Sequence, residues 1–167
     1  MKIKQTISTL IFSLILMDTI SAQESSFDWE KVKYGGRINL GFSSTTTNII
    51  LAPSAVYPLS DKFYLGGSIS FGYTSFKSSD SKLYNYGASL LSYYNPFREL
   101  QLSVELEQTF VNQTTGNFNN NFDFLALYIG AGYRFENVIA GLRYDVLYNE
   151  NKGLYASPFG PFVQFSF

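Results

Sequence analysis

Between Leu100 and Phe110 the chain alternates: Leu100, Leu102, Val104, Leu106 and Phe110 fall on one face of an extended segment, and Gln101, Ser103, Glu105, Glu107 and Thr109 on the other. A period of two is what a β-strand imposes, since successive Cβ atoms point to opposite sides of a sheet. The same period recurs over nearly everything after residue 33, with no convincing helical periodicity. The chain is therefore expected to be all-β.

Eight strands can be drawn. The first covers about Tyr34 to Ser43, with Tyr34, Gly36, Ile38, Leu40 and Phe42 on its more apolar face. The second, Thr47 to Tyr57, presents Ile49, Leu51, Pro53, Ala55 and Tyr57; its other face is ambiguous, because Ile50, Ala52 and Val56 lie there. The third, Phe63 to Phe76, sets Phe63, Leu65, Ile69, Phe71 and Tyr73 against Tyr64, Ser68, Ser70 and Thr74. The fourth carries Tyr84, Tyr86, Ala88, Leu90 and Tyr94, and the fifth is the Leu100 segment. The sixth alternates from Phe124 to Phe135, the seventh from Val138 to Asn149, and the eighth closes on Phe159, Pro161, Val163, Phe165 and Phe167. Turns are expected at Pro58 to Lys62, Asn95-Pro96 and Glu136-Asn137, and polar loops at Ser43 to Thr46, Lys77 to Lys82, Asn112 to Asn121 and Glu150 to Leu154. Pro53, Pro158 and Pro161 cannot donate to a ladder, so bulges, or missing bonds near the rim, are expected around them.

Connectivity follows from an internal echo. Gly35 to Phe42 reappears as Gly66 to Tyr73, one hairpin later, which places both copies on strands running the same way, as in an up-and-down meander. Within the apolar face, aromatics sit at the strand ends (Tyr57, Phe63, Tyr94, Tyr133, Phe135 at one; Phe42, Tyr73, Tyr84, Phe110, Tyr148 at the other) and aliphatics between them. Two aromatic girdles around an aliphatic band fit the two interfaces of a bilayer. The opposite face is small and polar, rich in Gly and Ser, as the interior of a narrow barrel requires. The fold expected is a closed antiparallel up-and-down transmembrane β-barrel of eight strands.

The first residues give the route. Lys2 and Lys4, the apolar stretch Ile7 to Met17, and Ser21-Ala22 read as a secretory signal peptide over residues 1–22, too short to span a bilayer as a helix; residues 23–167 are then the barrel domain. Removing residues 1–22 takes away Lys2, Lys4 and Asp18, leaving ten basic against twelve acidic residues, which gives no footprint for nucleic acid. Charged residues are 15% of the chain and aromatics 18%, where a soluble domain carries about a quarter charged residues; an apolar surroundings is implied.

Chemistry is narrowed by absence. There is no Cys and no His, so disulfides, thiolate catalysis, lipid attachment through a leading Cys, Ser-His hydrolysis and His or Cys zinc ligation all drop out. No enzyme activity, cofactor or metal is expected. The inward face does carry Arg37, Glu105, Glu107, Arg143 and Asp145, expected to form a lumen ion network that is structural in the first place, since charges within a membrane pair with one another. A gate or polar relay is the functional counterpart.

Taken together these residues resemble the small eight-stranded outer-membrane barrels of Gram-negative bacteria, the OmpA transmembrane domain and OmpX among them. The resemblance covers residues 23–167 and rests on architecture, the leader and the closing Val163-Gln164-Phe165-Ser166-Phe167. It implies location in the outer membrane, with membrane lipid and the barrel-assembly machinery as partners. It also implies that Val163, Phe165 and Phe167 form the C-terminal assembly signal. No region matches a peptidoglycan-binding domain, so cell-wall tethering is not expected, and the barrel is expected as a monomer. Three functions follow: a structural or surface-interaction barrel with a filled polar lumen, a narrow passive pore, or a secreted lipocalin-like binder. No surface partner is readable.

Overall fold

A computed structural model describes residues 27–42, 44, 46–77, 81–115, 118–149 and 157–167. The segment assigned to a signal peptide and the loop expected at Glu150 to Leu154 lie outside them. The chain divides into Met1–Glu30 and Lys31–Phe167. In the first, Phe27 meets Trp29 edge-on at 4.8 Å, and the Asp28 carboxylate accepts the Glu30 N–H at 3.0 Å. The second is the barrel.

Its strands are β1 (Lys33–Phe42), β2 (Thr46–Pro58), β3 (Phe63–Phe76), β4 (Ser81–Tyr94), β5 (Leu100–Thr115), β6 (Phe118–Phe135), β7 (Val138–Asp145) and β8 (Phe159–Ser166). Each pairs antiparallel with the next, and β8 returns to β1 to close the barrel. Followed from Lys33 through Val56, Gly66, Leu91, Glu105 and Tyr128 to Asp145, whose N–H bonds the Pro158 carbonyl, the ladder climbs roughly ten residues in one circuit, a stagger that tilts the strands by about 40°.

The faces fall as the alternation requires. Ile50 and Ala52 are buried while Ile49 and Leu51 are exposed, which resolves the ambiguous second strand. Outward residues from Phe63 to Tyr73 on β3 span ten steps; at about 3.3 Å each and a tilt near 40° the band they cover is roughly 25 Å tall. Its loop-side edge is fastened by cross-strand aromatic pairs, Tyr73 with Tyr84 at 5.2 Å, Tyr86 with Phe110 at 5.5 Å and Tyr144 with Phe159 at 4.9 Å.

Three details differ from the sequence expectation. The ten-residue loop at Asn112 to Asn121 is strand for most of its length: Asn112 pairs with Asn121, Gln113 with Asn120 and Thr114 with Asn119. These residues are poor strand formers, but they continue a ladder already in register, and Gln113 and Thr115 bond the Ser81 hydroxyl of β4. The seventh strand ends at Asp145 rather than near Asn149, because the Asp145 carboxylate accepts the Leu147 N–H at 3.0 Å and bends the chain into an Asx turn. Finally, of the two outcomes expected at the prolines, missing bonds occur and bulges do not. At Pro53 the β2–β3 ladder passes from Leu51↔Phe71 to Ser54↔Ser68 in unchanged register, omitting the bonds at Ala52 and Pro53, and this gap lies in mid-wall rather than at the rim. Pro158 precedes β8, and Pro161 lies within it.

Glu136-Asn137 makes the expected two-residue reversal between β6 and β7, with Glu136 at φ 51°, in the left-handed region that two-residue hairpins use.

Candidate functional site

The inward faces of β1, β5 and β7 carry the five charges singled out by sequence, and the barrel is narrow enough for several of them to meet. β1 and β5 lie on opposite sides of the eight-stranded ring, yet the Arg37 guanidinium reaches across the diameter to Glu105 and binds it with two parallel bonds, Nη1 to Oε2 and Nη2 to Oε1, both 2.7 Å. Arg143 on β7 donates to the same Glu105 Oε2 at 3.3 Å, and its guanidinium lies 4.1 Å from the centre of the Tyr128 ring. Glu105 is thus clamped between two arginines, with its side chain 4% exposed.

Small residues make that room. A Cβ on Gly130 would crowd the Ser103 hydroxyl and Arg143, and one on Gly87 would crowd Ser70 and Glu107. Gly160 flanks the Arg143 stem. Gly87, Gly130 and Gly160 therefore leave the space into which Glu107 and Arg143 fold.

Of the five residues expected to form a network, Arg37, Glu105 and Arg143 come together directly. Glu107 is buried one inward step further along β5 and accepts the Ser70 hydroxyl at 2.8 Å. Asp145 turns to the backbone instead, accepting the N–H groups of Leu127 at 3.3 Å and Leu147 at 3.0 Å. Toward the short-turn end a second polar tier was not singled out by sequence: Arg134 donates to Gln101 at 2.9 Å and Gln101 to Gln164 at 3.4 Å. All three have inward parity, which is the signal that would have found them.

What the lumen can do follows from its voids. A cavity of about 60 Å³ lies at the short-turn end, beside Lys33, Asn95, Gln101 and Arg134, and one of about 50 Å³ toward the loops, beside Asn39, Tyr128, Arg143 and Asp145. Between them, next to Arg37, Ser68, Leu91 and Tyr93, lies a void of about 10 Å³. A water needs roughly 10–15 Å³, so this void holds one water at most. Arg37, Glu105, Leu91 and Tyr93 form a plug.

No protein-family model matches the chain, and no curated protein does. Among solved structures it is similar to one described as OmpT, an in-vitro folded outer membrane protein of Vibrio cholerae in trimer form, at 12% identity and a TM-score of 0.39. The match covers 84% of this chain and 53% of that one, so this chain spans about half of that protein's length.

Proposed function

We propose that the chain is a small integral β-barrel of the bacterial outer membrane, exported by a signal peptide cleaved near Ala22, with a structural or surface-interaction role. The observation that carries this reading is the inversion of the barrel. Leu40, Ile69, Leu90, Val104, Ile129 and Leu142 are exposed on the outside, while Glu105, Glu107, Arg143, Gln101 and Gln164 are buried within. A water-soluble barrel places these classes the other way round, whereas lipid demands an apolar exterior and a closed sheet that pairs its own backbone. The band of roughly 25 Å matches the apolar height of such barrels. A lipocalin-like binder would need a lumen open to a ligand, and this one is filled by side chains.

Cell fractionation after expression with residues 1–22 intact tests the reading. The mature protein is expected in the outer-membrane fraction, released by detergent and not by salt, and to migrate faster in gels when unboiled. Recovery in the soluble periplasmic fraction would refute it. Reconstituted in planar bilayers, the protein is expected to be electrically silent across ionic strengths because of the Arg37–Glu105 plug; steps of conductance would favour the passive pore.

Val163, Phe165 and Phe167 are the proposed signal to the assembly machinery. Val163 and Phe167 are exposed on the outer face, and the Phe167 N–H donates to Tyr34 at 2.8 Å. Deleting Phe167 is expected to lower the membrane-assembled fraction several-fold at unchanged synthesis; an unaltered assembled fraction would remove the assignment. The protein is read as a monomer solvated by membrane lipid, with no cofactor, no nucleic acid and no catalytic role.

A further inference from the structure

The ring has one short seam. β1 and β8 share four register pairs, from Gly35↔Ser166 to Ile38↔Val163, although β1 continues to Phe42 and β8 begins at Phe159. Pro161 is the reason. The bond from the Phe167 N–H to the Tyr34 carbonyl sets the parity of this seam, so its hydrogen-bonded pairs recur at Gly36 with Phe165, Ile38 with Val163, and next at Leu40 with Pro161. Proline has no N–H at the position where the ladder needs its next donor. The other edge of β8 is unaffected, because residues of opposite parity face β7: Ser166 N–H bonds Asn137, and Leu142 still lies opposite Pro161.

Where the pairing stops, a cleft of about 390 Å³ opens on the outer surface, lined by Ile38, Leu40, Pro161, Phe162 and Val163, with Asn39 among them. Asn39 and Phe162 have inward parity, so they border the cleft at the wall itself, where the ladder between β1 and β8 has stopped. Asn39 also lines the void that Tyr128, Arg143 and Asp145 share. One residue therefore separates an apolar cleft from the polar lumen.

We infer that this seam is a lateral opening that seats an acyl chain of a bilayer phospholipid between β1 and β8. The inference rests on the membrane reading above. The lining is aliphatic and aromatic and continuous with the exposed outer band through Leu40 and Val163, so the solvent that covers that band reaches the cleft directly. Its volume falls in the range of about 300–1,000 Å³ typical of small-molecule sites. No charged side chain lines the cleft, which favours entry of a chain over entry of a charged head group.

The mature protein in phosphatidylcholine vesicles, doped with a phosphatidylcholine whose chain ends in a diazirine, provides the test. After irradiation, mass spectrometry is expected to find label on Asn39 and Phe162 at least fivefold above inward-facing Ala52 and Ile139, and comparable to outward Leu40. Label on Leu90 and Leu40 with Asn39 and Phe162 no higher than Ala52 would overturn the inference and leave the membrane reading standing. Absence of label from Leu90 as well would remove both. Pro161→Val restores the donor and is expected to give residue 161 an amide protected from hydrogen exchange and to cut label on Asn39 at least fivefold. Pro53→Val, away from the seam, is expected to leave label on Asn39 unchanged. A protected amide at residue 161 with undiminished label on Asn39 would also overturn the inference, and the wild-type pattern decides the matter if neither variant folds.

Discussion

Arg37→Ala is expected to destabilise the barrel by about 3–5 kcal/mol, the largest single effect in the lumen. The substitution removes both 2.7 Å bonds to Glu105 and leaves a carboxylate buried against one 3.3 Å contact from Arg143. The cost comes from stranding the charge rather than from losing the attraction, since removing water from two ions offsets much of what their pairing returns. The triple variant Arg37→Met, Glu105→Leu, Arg143→Met should therefore stay within about 2 kcal/mol of the parent. Urea unfolding in detergent micelles, followed by circular dichroism, measures both. An Arg37→Ala variant as stable as the parent would mean that Glu105 takes up its proton or finds water, and that the plug is not held by charge.

Outside the barrel, Leu90→Arg is expected to cost about 2–4 kcal/mol and Phe135→Arg no more than about 1 kcal/mol. The two side chains are almost equally exposed, at 67% and 68%, so an argument from burial alone predicts the same small effect for both. What separates them is height. Leu90 lies in the middle of the apolar band, level with the Arg37–Glu105 clamp inside, and Phe135 lies at the β6–β7 turn. Unfolding in phospholipid vesicles should reveal the difference; equal costs would show that the outer face does not meet a hydrocarbon layer.

The two faces of every strand were legible in the sequence because a one-residue slip would exchange them, and Leu, Tyr and Phe on one side against Gly, Ser, Arg and Glu on the other allow no such slip. Strand length was less legible. Asn112 to Asn121 carries loop composition, yet a ladder already in register recruits it, and that is a tertiary effect. The identity of inward charges could be read, but their pairing could not. Arg37 and Glu105 are brought face to face by closure and stagger, neither of which alternation encodes, while Asp145 is drawn away by a local turn to Leu147. Pro161 was visible as an irregularity; its meaning depended on hydrogen-bond parity, which only the closed ring defines.

The four-pair seam also has a consequence for the order of assembly. Seven joins of the ring connect strands that follow one another in the chain and can form hairpin by hairpin, whereas the join of β1 to β8 must bring together the two ends of the meander. Contacts between distant segments carry the larger loop-closure cost, and this join has the fewest bonds to offset it. Closure is accordingly expected as the last folding event and the first to reverse: the barrel forms as a curling sheet that buttons at Gly35 to Ile38, and breathes there first.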